Sequence, residues 1–339
     1  MSSKKFYILV FFLAVIVHGF GQQDPQFTQH MYTILPINPG FAGSAGICAT
    51  LHFRQQWAGF VETDTNGKDK YNVAPRQMML SLHAPVKKLH GGLGLTVYND
   101  HYGHQSDITV KLAYSFRMNI AGGVLGVGPA VNLLSRKMET GKWIYREGDI
   151  DPILVSEMGE SEMYYGVSFG AYYEMQQKWY AGISATQIYT YGGKNVNQQA
   201  APHLYLLGGY TFVLDANPNW ELKPCALIKT DFKTPPQADL TLMAEWSNMF
   251  GVGITYRIID AVAILGTAKP FINSSTPPLR GLEAVVSYDI NTSQMMRHSR
   301  SWGGPEICLK YCFKIVPIIP ISAYRNTRQL GNLPIDYRR

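Results

Sequence analysis

Asp107-Ile108-Thr109-Val110-Lys111-Leu112-Ala113-Tyr114-Ser115-Phe116-Arg117-Met118 alternates apolar and polar side chains with a period of two. Ile108, Val110, Leu112, Tyr114, Phe116 and Met118 fall on one face, and Thr109, Lys111, Ala113, Ser115 and Arg117 on the other. Successive side chains of a strand point to opposite faces, so such a strand separates an apolar medium from a polar one. The rhythm returns in Asp239 to Trp246 and in Leu282 to Ile290. These segments approach the roughly 9–11 residues that cross a bilayer at a tilt. A soluble sandwich also alternates. Segment length, aromatic residues near segment ends and an export signal favour the membrane.

That signal is at the amino terminus. Lys4 and Lys5 precede the apolar run Phe6 to Val17, and Gly19 and Gly21 stand where a signal peptidase needs small residues. Residues 1–21 are therefore expected to be a cleaved signal peptide, since the run falls short of the roughly 20 residues of a membrane-spanning helix. The 339-residue chain is 46% hydrophobic, 16% charged and 12% aromatic, with 32 Gly and 21 Tyr. Few charges with many Gly and Tyr suit short strands, tight turns and aromatic girdles. The net charge of +6 is small and scattered, which argues against a nucleic-acid partner.

Fourteen strands are expected, at 48–60, 76–86, 92–99, 107–118, 123–134, 163–174, 178–190, 202–214, 220–231, 237–247, 250–258, 260–268, 280–290 and 305–313. An even count suits a single-chain bacterial barrel and puts both its ends on one side. With 22–47 as a periplasmic lead-in and 314–339 as a periplasmic tail, 61–75, 135–162, 191–201 and 291–304 become outer loops. The inner connections are then mostly short, as barrels prefer. The turn near Asp260 and the Pro-rich stretch 269–279 break that rule. The first and last strands must pair, because an open edge in lipid leaves backbone groups unsatisfied at several kcal/mol each.

Of four cysteines, Cys48 and Cys312 share the lumen-facing parity at the same end. A disulfide between them is one reading, and two small barrel-interior residues the other. Cys308 and Cys312 lie about 13 Å apart along one strand, beyond disulfide reach.

Asp24-Pro25-Gln26-Phe27-Thr28-Gln29-His30-Met31-Tyr32 and Ile37-Asn38-Pro39-Gly40-Phe41-Ala42-Gly43-Ser44 open the mature chain. Arg54-Gln55-Gln56-Trp57-Ala58-Gly59-Phe60 follows, then Gly92-Leu93-Gly94-Leu95 with Asn99-Asp100, and at the end Ser287-Tyr288-Asp289-Ile290 and Pro305 to Phe313. In these segments the chain resembles the PorP/SprF family of type IX secretion system membrane proteins, most sharply at both ends. Gly40-Phe41 departs from the commoner Ala-Tyr, and Trp302-Gly303-Gly304-Pro305 from the usual last loop. The resemblance implies a barrel in the outer membrane of a Bacteroidetes-type bacterium. Such proteins act in type IX secretion and gliding motility through a cognate secreted surface protein, periplasmic ring components, or both.

The family-motif residues Asn38, Pro39, Gly43, Arg54, Gln56 and Trp57 are the candidate contact residues. The turn chemistry around Asn38, Pro39 and Gly43 either shapes a plug or docking segment, or fixes the first strand's register. His52, Arg54 and Gln56 form either a lumen hydrogen-bond network or a polar wall touching a bound partner segment. His101, His104 and Asp100 are too few to argue a metal site. No nucleophile elbow, phosphate loop or zinc-protease motif is present. The expected protein is a non-catalytic membrane component without cofactor or metal, its partners being outer-membrane lipid and secretion-system proteins. A passive pore for small solutes is the rival reading.

Overall fold

The structure is a computed structural model that describes residues 26–63, 70–138, 161–175, 178–193, 200–214, 219–274, 277–292 and 301–313. The expected signal peptide, the charged part of the long loop at 139–160 and the tail 314–339 lie outside the described residues.

The strands are β1 (Ile47–Gln55), β2 (Val61–Thr63), β3 (Lys70–Asn72), β4 (Arg76–Val86), β5 (Gly91–Tyr102), β6 (Gln105–Ile120), β7 (Gly123–Met138), β8 (Ser161–Met175) and β9 (Trp179–Gly192). They continue as β10 (His203–Tyr210), β11 (Phe212–Val213), β12 (Trp220–Thr230), β13 (Gln237–Trp246), β14 (Phe250–Arg257), β15 (Ala261–Ala268), β16 (Leu282–Asn291) and β17 (Gly303–Phe313). β2 and β3 form a separate hairpin, and the rest make one 15-stranded antiparallel sheet. The two-residue β11 prolongs β10 along β12, which leaves fourteen staves. β10 pairs with β12 and β1 with β17, from Ile47↔Phe313 to Arg54↔Glu306, so the sheet closes into a barrel with no free edge.

The alternation read in Asp107 to Met118 is that of β6. Lys111 is 3% exposed while its neighbour Leu112 is 60% exposed. The molecule is thus polar inside and apolar outside, the reverse of a soluble fold. Leu51, Leu80, Leu240, Ile254 and Val286 continue the apolar outer band around the wall. Aromatics flank it: Trp220 faces Trp246, and Trp246 faces Phe250, at one rim. Tyr165, Tyr189 and Tyr191 stand exposed toward the other.

Long connections gather at one end, at 56–75, 139–160, 193–202 and 292–302. The opposite end carries mostly short turns, including 87–90, 121–122 and 247–249. Both expected exceptions are present: 258–260 is short at the long-connection end, and 269–281 is long at the short-turn end. Some strand bounds differ. The first strand stops at Gln55 rather than running to residue 60, because Trp57 takes φ +53 and turns the chain away. β5 and β6 run further than expected and meet in a tight turn, where Gly103 supplies φ +59.

The described part of the lead-in 22–47 lies inside the barrel. Gln26 bonds Asp239 beside the turn 258–260, and Gly43 sits against Pro85 and Gly92 near the turn 87–90. The segment therefore descends the lumen from the long-connection end to the short-turn end, then reverses into β1.

Candidate functional site in the barrel lumen

The chain's own residues 26–46 run through the lumen, and two sets of contacts hold them. The lower half of this plug is a shape fit. Pro39–Phe41 forms a 3-10 turn, and the buried Asn38 caps it by accepting a 2.9 Å bond from Gly40 N. The Asn38 amide also donates to the strand carbonyls Ala171 O at 2.9 Å and Ile183 O at 3.3 Å. It reaches them because the wall is glycine there: a Cβ on Gly170 would collide with Asn38 Oδ1, and one on Gly182 would come within 2.8 Å of its Nδ2. Ser184 donates to Ile37 O at 2.6 Å and Ser115 to Gly40 O at 2.9 Å, and Lys111 donates to Pro36 O. Ile34 buries itself among Tyr172, Tyr205, Leu207 and Leu227, while Leu35 and Ala42 pack on Ala113 and Ala130. Burial of Ile34 and Leu35 contributes on the order of 1.5–3 kcal/mol each.

The upper half is an ionic clamp. The Glu306 carboxylate, fully buried, accepts bonds from Thr28 N at 3.0 Å and Gln29 N at 2.8 Å. His52 Nε2 lies 2.9 Å from its Oε1, and Arg54 Nε lies 3.4 Å from its Oε2. Arg54 also pairs with Asp289 at 2.8 Å and donates to Gln26 O. Thr28 Oγ1 donates to Asp289 at 2.7 Å and accepts from Arg257 at 2.9 Å. Arg257 in turn faces Asp239 at 3.3 Å, Asp289 at 3.4 Å and Asp260 at 3.4 Å. Gln26 completes the clamp with a 2.9 Å bond to Asp239. Buried charges are tolerable only when paired and hydrogen-bonded, and this group is both. Phe27 covers it, edge-on to His52 with centroids 4.4 Å apart.

Above the clamp, at the long-connection end, the plug's first described residue opens onto a vestibule of about 610 Å³. Gln26, Arg54, Gln56, Trp57, Gln77 and Asp100 contribute to its wall. The proline-rich connection 231–236 forms one side, fastened by Asp231, whose Oδ1 accepts from Thr234 N at 2.7 Å, Thr234 Oγ1 at 2.7 Å and Lys233 N at 3.0 Å. Burial works to raise the Asp231 carboxyl, but these donors outweigh it and hold the group below its ordinary value.

The sequence-chosen residues thus divide. Asn38, Pro39 and Gly43 belong to the plug, Arg54 to the clamp, and Gln56 and Trp57 to the vestibule. His52 and Arg54 stand in a hydrogen-bond network here, and the segment that Arg54 touches is the chain's own. Cys48 and Cys312 face each other at the short-turn end of the β1–β17 seam, with Sγ atoms 2.09 Å apart. Sequence reasoning missed Glu306, Asp239 and Arg257 as clamp residues, and Gly170 and Gly182 as the seat of Asn38. Asp239 and Asp289 did carry a signal, being acids on the lumen parity of their strands.

The fold is similar to several outer-membrane barrels. The monoaromatic hydrocarbon channel CymD matches with a TM-score of 0.46 at 12% identity, over 87% of this chain and 95% of that one. The Ralstonia pickettii toluene transporter TbuX matches at 0.47 and 10% identity, over 84% and 94%. The Acinetobacter baumannii outer membrane protein Omp33 matches at 0.40 and 8% identity, over 79% and 98%. No curated relative matches the chain. The model of the type IX secretion system membrane protein PorP/SprF family matches residues 19–311, nearly the whole barrel with its plug. The chain belongs to that family.

Proposed function

We propose that this protein is a non-catalytic outer-membrane component of type IX secretion that works through protein contacts. It supports the export or surface attachment of a cognate protein, and through it gliding motility. The observation that carries this reading is the plug. A lumen threaded by residues 26–46, with a buried clamp at one end and a shape-fitted turn at the other, suits a rigid docking platform better than a conduit. The contacts then fall to the two ends. Long connections face outward in bacterial barrels, so the vestibule meets the surface protein and the short-turn end meets periplasmic ring components. Phe313 then lies on the periplasmic side and Gln26 at the outer mouth. Leader cleavage before Gln22 and oxidation of Cys48 with Cys312 accompany export to an oxidising compartment.

Deletion of the gene, with quantitation of secreted and surface-bound proteins, tests the reading. Loss of a defined subset of them, restored by the intact gene, is the expected result. An unchanged secretome and surface would overturn it.

A further inference from the structure

The lipid side of the wall is not evenly covered. Near the short-turn end of the β1–β17 seam, a groove of about 580 Å³ crosses β17, β1, β4, β5, β6 and β7. One row of paired positions along it runs Tyr311↔Ala49↔Leu82↔Leu95↔Leu112↔Val131. The row nearer the turns includes Ala84↔Leu93↔Tyr114. Ala49 and Ala84 are short where the staves beside them carry Leu or Tyr, so the surface is scooped out between them. Gly94, Ala113 and Ala130 also line the groove, although their positions face the lumen, so the strand backbone itself forms part of the floor. Leu35 and Ala42 of the plug pack on Ala113 and Ala130 from within, and among the described residues no plug residue lines the groove. It therefore opens outward. Leu93, Leu112, Val131 and Phe313 on its flanks are 45–60% exposed. A cationic turn stands at its end. Lys87 and Lys88, both exposed, form the 3-10 turn between β4 and β5, and His90 follows them. The Tyr114 hydroxyl on the groove flank donates to Leu89 O at 2.7 Å, which ties that turn to the groove. No acidic residue occurs from Ser81 to Asn99.

We infer that the groove binds an acyl chain of one anionic phospholipid, whose phosphate is held by Lys87 and Lys88. The groove lies in the apolar outer band, so the medium against it is hydrocarbon. A chain seated in a groove meets carbon atoms on several sides, whereas a chain against a flat wall meets them on one, and dispersion contacts add up accordingly. The lysine stems run along apolar surface while their ammonium groups reach headgroup level. There each lysine gains from a negative lipid surface. The two features select the ligand together. Free phosphate satisfies the lysines and leaves the groove empty, and a zwitterionic lipid fills the groove with less to offer the lysines. The site rests on the reading that the short-turn end faces the periplasm, where the outer membrane's leaflet is phospholipid. It does not rest on the secretion role.

The test uses the full mature chain in amine-oxide micelles, titrated with palmitoyl-oleoyl phosphatidylglycerol or with the phosphatidylcholine of the same chains. Native mass spectrometry counts the lipids each barrel retains. The expected result is saturation at one phosphatidylglycerol, bound about tenfold more tightly than phosphatidylcholine. Lys87→Gln with Lys88→Gln should abolish that preference and leave the weaker acyl binding. Ala49→Leu with Ala84→Phe fills the groove and should weaken both lipids. Both double variants alter exposed or lipid-facing positions and should keep the compact electrophoretic form; the lysine pair, on a surface turn, decides the matter if the groove-filling pair does not fold. Equal retention of the two lipids, retention that climbs without saturating, or a preference that survives loss of both lysines would overturn the inference. So would a dimer of the parent that the groove-filling pair dissociates, since a second copy would then be the occupant. Labelling of Lys88→Cys by a membrane-impermeant maleimide on intact cells would reverse the assigned sides and remove the phospholipid leaflet from the site. An unchanged secretome in the deletion strain strikes the secretion role alone.

Discussion

Glu306 shows how one residue ties the plug to the wall. Its carboxylate accepts two plug amides while facing His52 and Arg54 from the strand beside it. Glu306→Gln removes the charge but keeps the shape, leaving Arg54 short of one partner. Breaking a buried pair in this way costs about 3–5 kcal/mol. Hydrogen exchange should report it as lost protection of the Thr28 and Gln29 amides, and unchanged protection would exclude the clamp. Gly170 makes a complementary case. Gly170→Ala drives a methyl group into Asn38 Oδ1 and should lower the melting temperature. Adding Asn38→Ala should recover part of that loss, a non-additivity of about 0.5–3 kcal/mol expected of residues in contact. The sequence displayed the turn chemistry of Asn38 and Gly43 and the lumen parity of Arg54 and Asp289. It could not display that residues some 280 positions apart share one carboxylate, as Thr28 and Glu306 do, because period-two alternation says which face a side chain takes and nothing of what stands opposite.

At the scale of elements, strand identity was largely legible and strand ends were not. Fourteen alternating segments gave fourteen staves, since every one must present an apolar outer face over much the same thickness. Ends are set by turn geometry instead: Trp57 at φ +53 cuts β1 short, and Gly103 at φ +59 brings β5 and β6 nearly together. For 26–46 the turn chemistry offered a plug as one of two readings, but the course of the segment was illegible for a different reason. A plug is read by its fit to a cavity, and the cavity exists only once the sheet has closed. The connection 231–236 is an element of the vestibule with a testable fastening. Asp231→Ala should speed tryptic cleavage after Lys233 about three- to tenfold, since loss of a capping-type side chain costs about 1 kcal/mol of local stability. The Asp231 carboxyl is held below its ordinary value, so the fastening is complete at neutral pH and fails only as acid reaches that depressed value. Cleavage of the parent should accordingly stay flat from pH 8 to pH 5 once the protease's own pH profile is divided out, and a rise within that window would be evidence against the fastening.

For the whole molecule, the plug and the seam govern behaviour. A lumen holding residues 26–46 should give no steady solute-sized conductance in planar bilayers, and excision of 26–44 should open one. Open-channel currents from the intact chain would instead support the passive pore. The seam offers a second global test. Cys48 and Cys312 are 264 residues apart in sequence, and a cross-link that closes so long a loop adds at most on the order of 5 kcal/mol by chain entropy. Cys48→Ser with Cys312→Ser should lower the temperature at which the barrel loses its compact electrophoretic form, and reductant should act on the parent but not on the double variant.

The course of the plug also constrains how the protein is made. Its chain enters at one mouth, runs the length of the bore and turns back to become the first stave. Sealing the last stave to the first before that head is seated would leave Phe27 and Thr28 to be pushed up a finished tube past Tyr172 and Asn132. The order of manufacture is therefore implied by the topology: head first into a half-rolled sheet, then the final stitch.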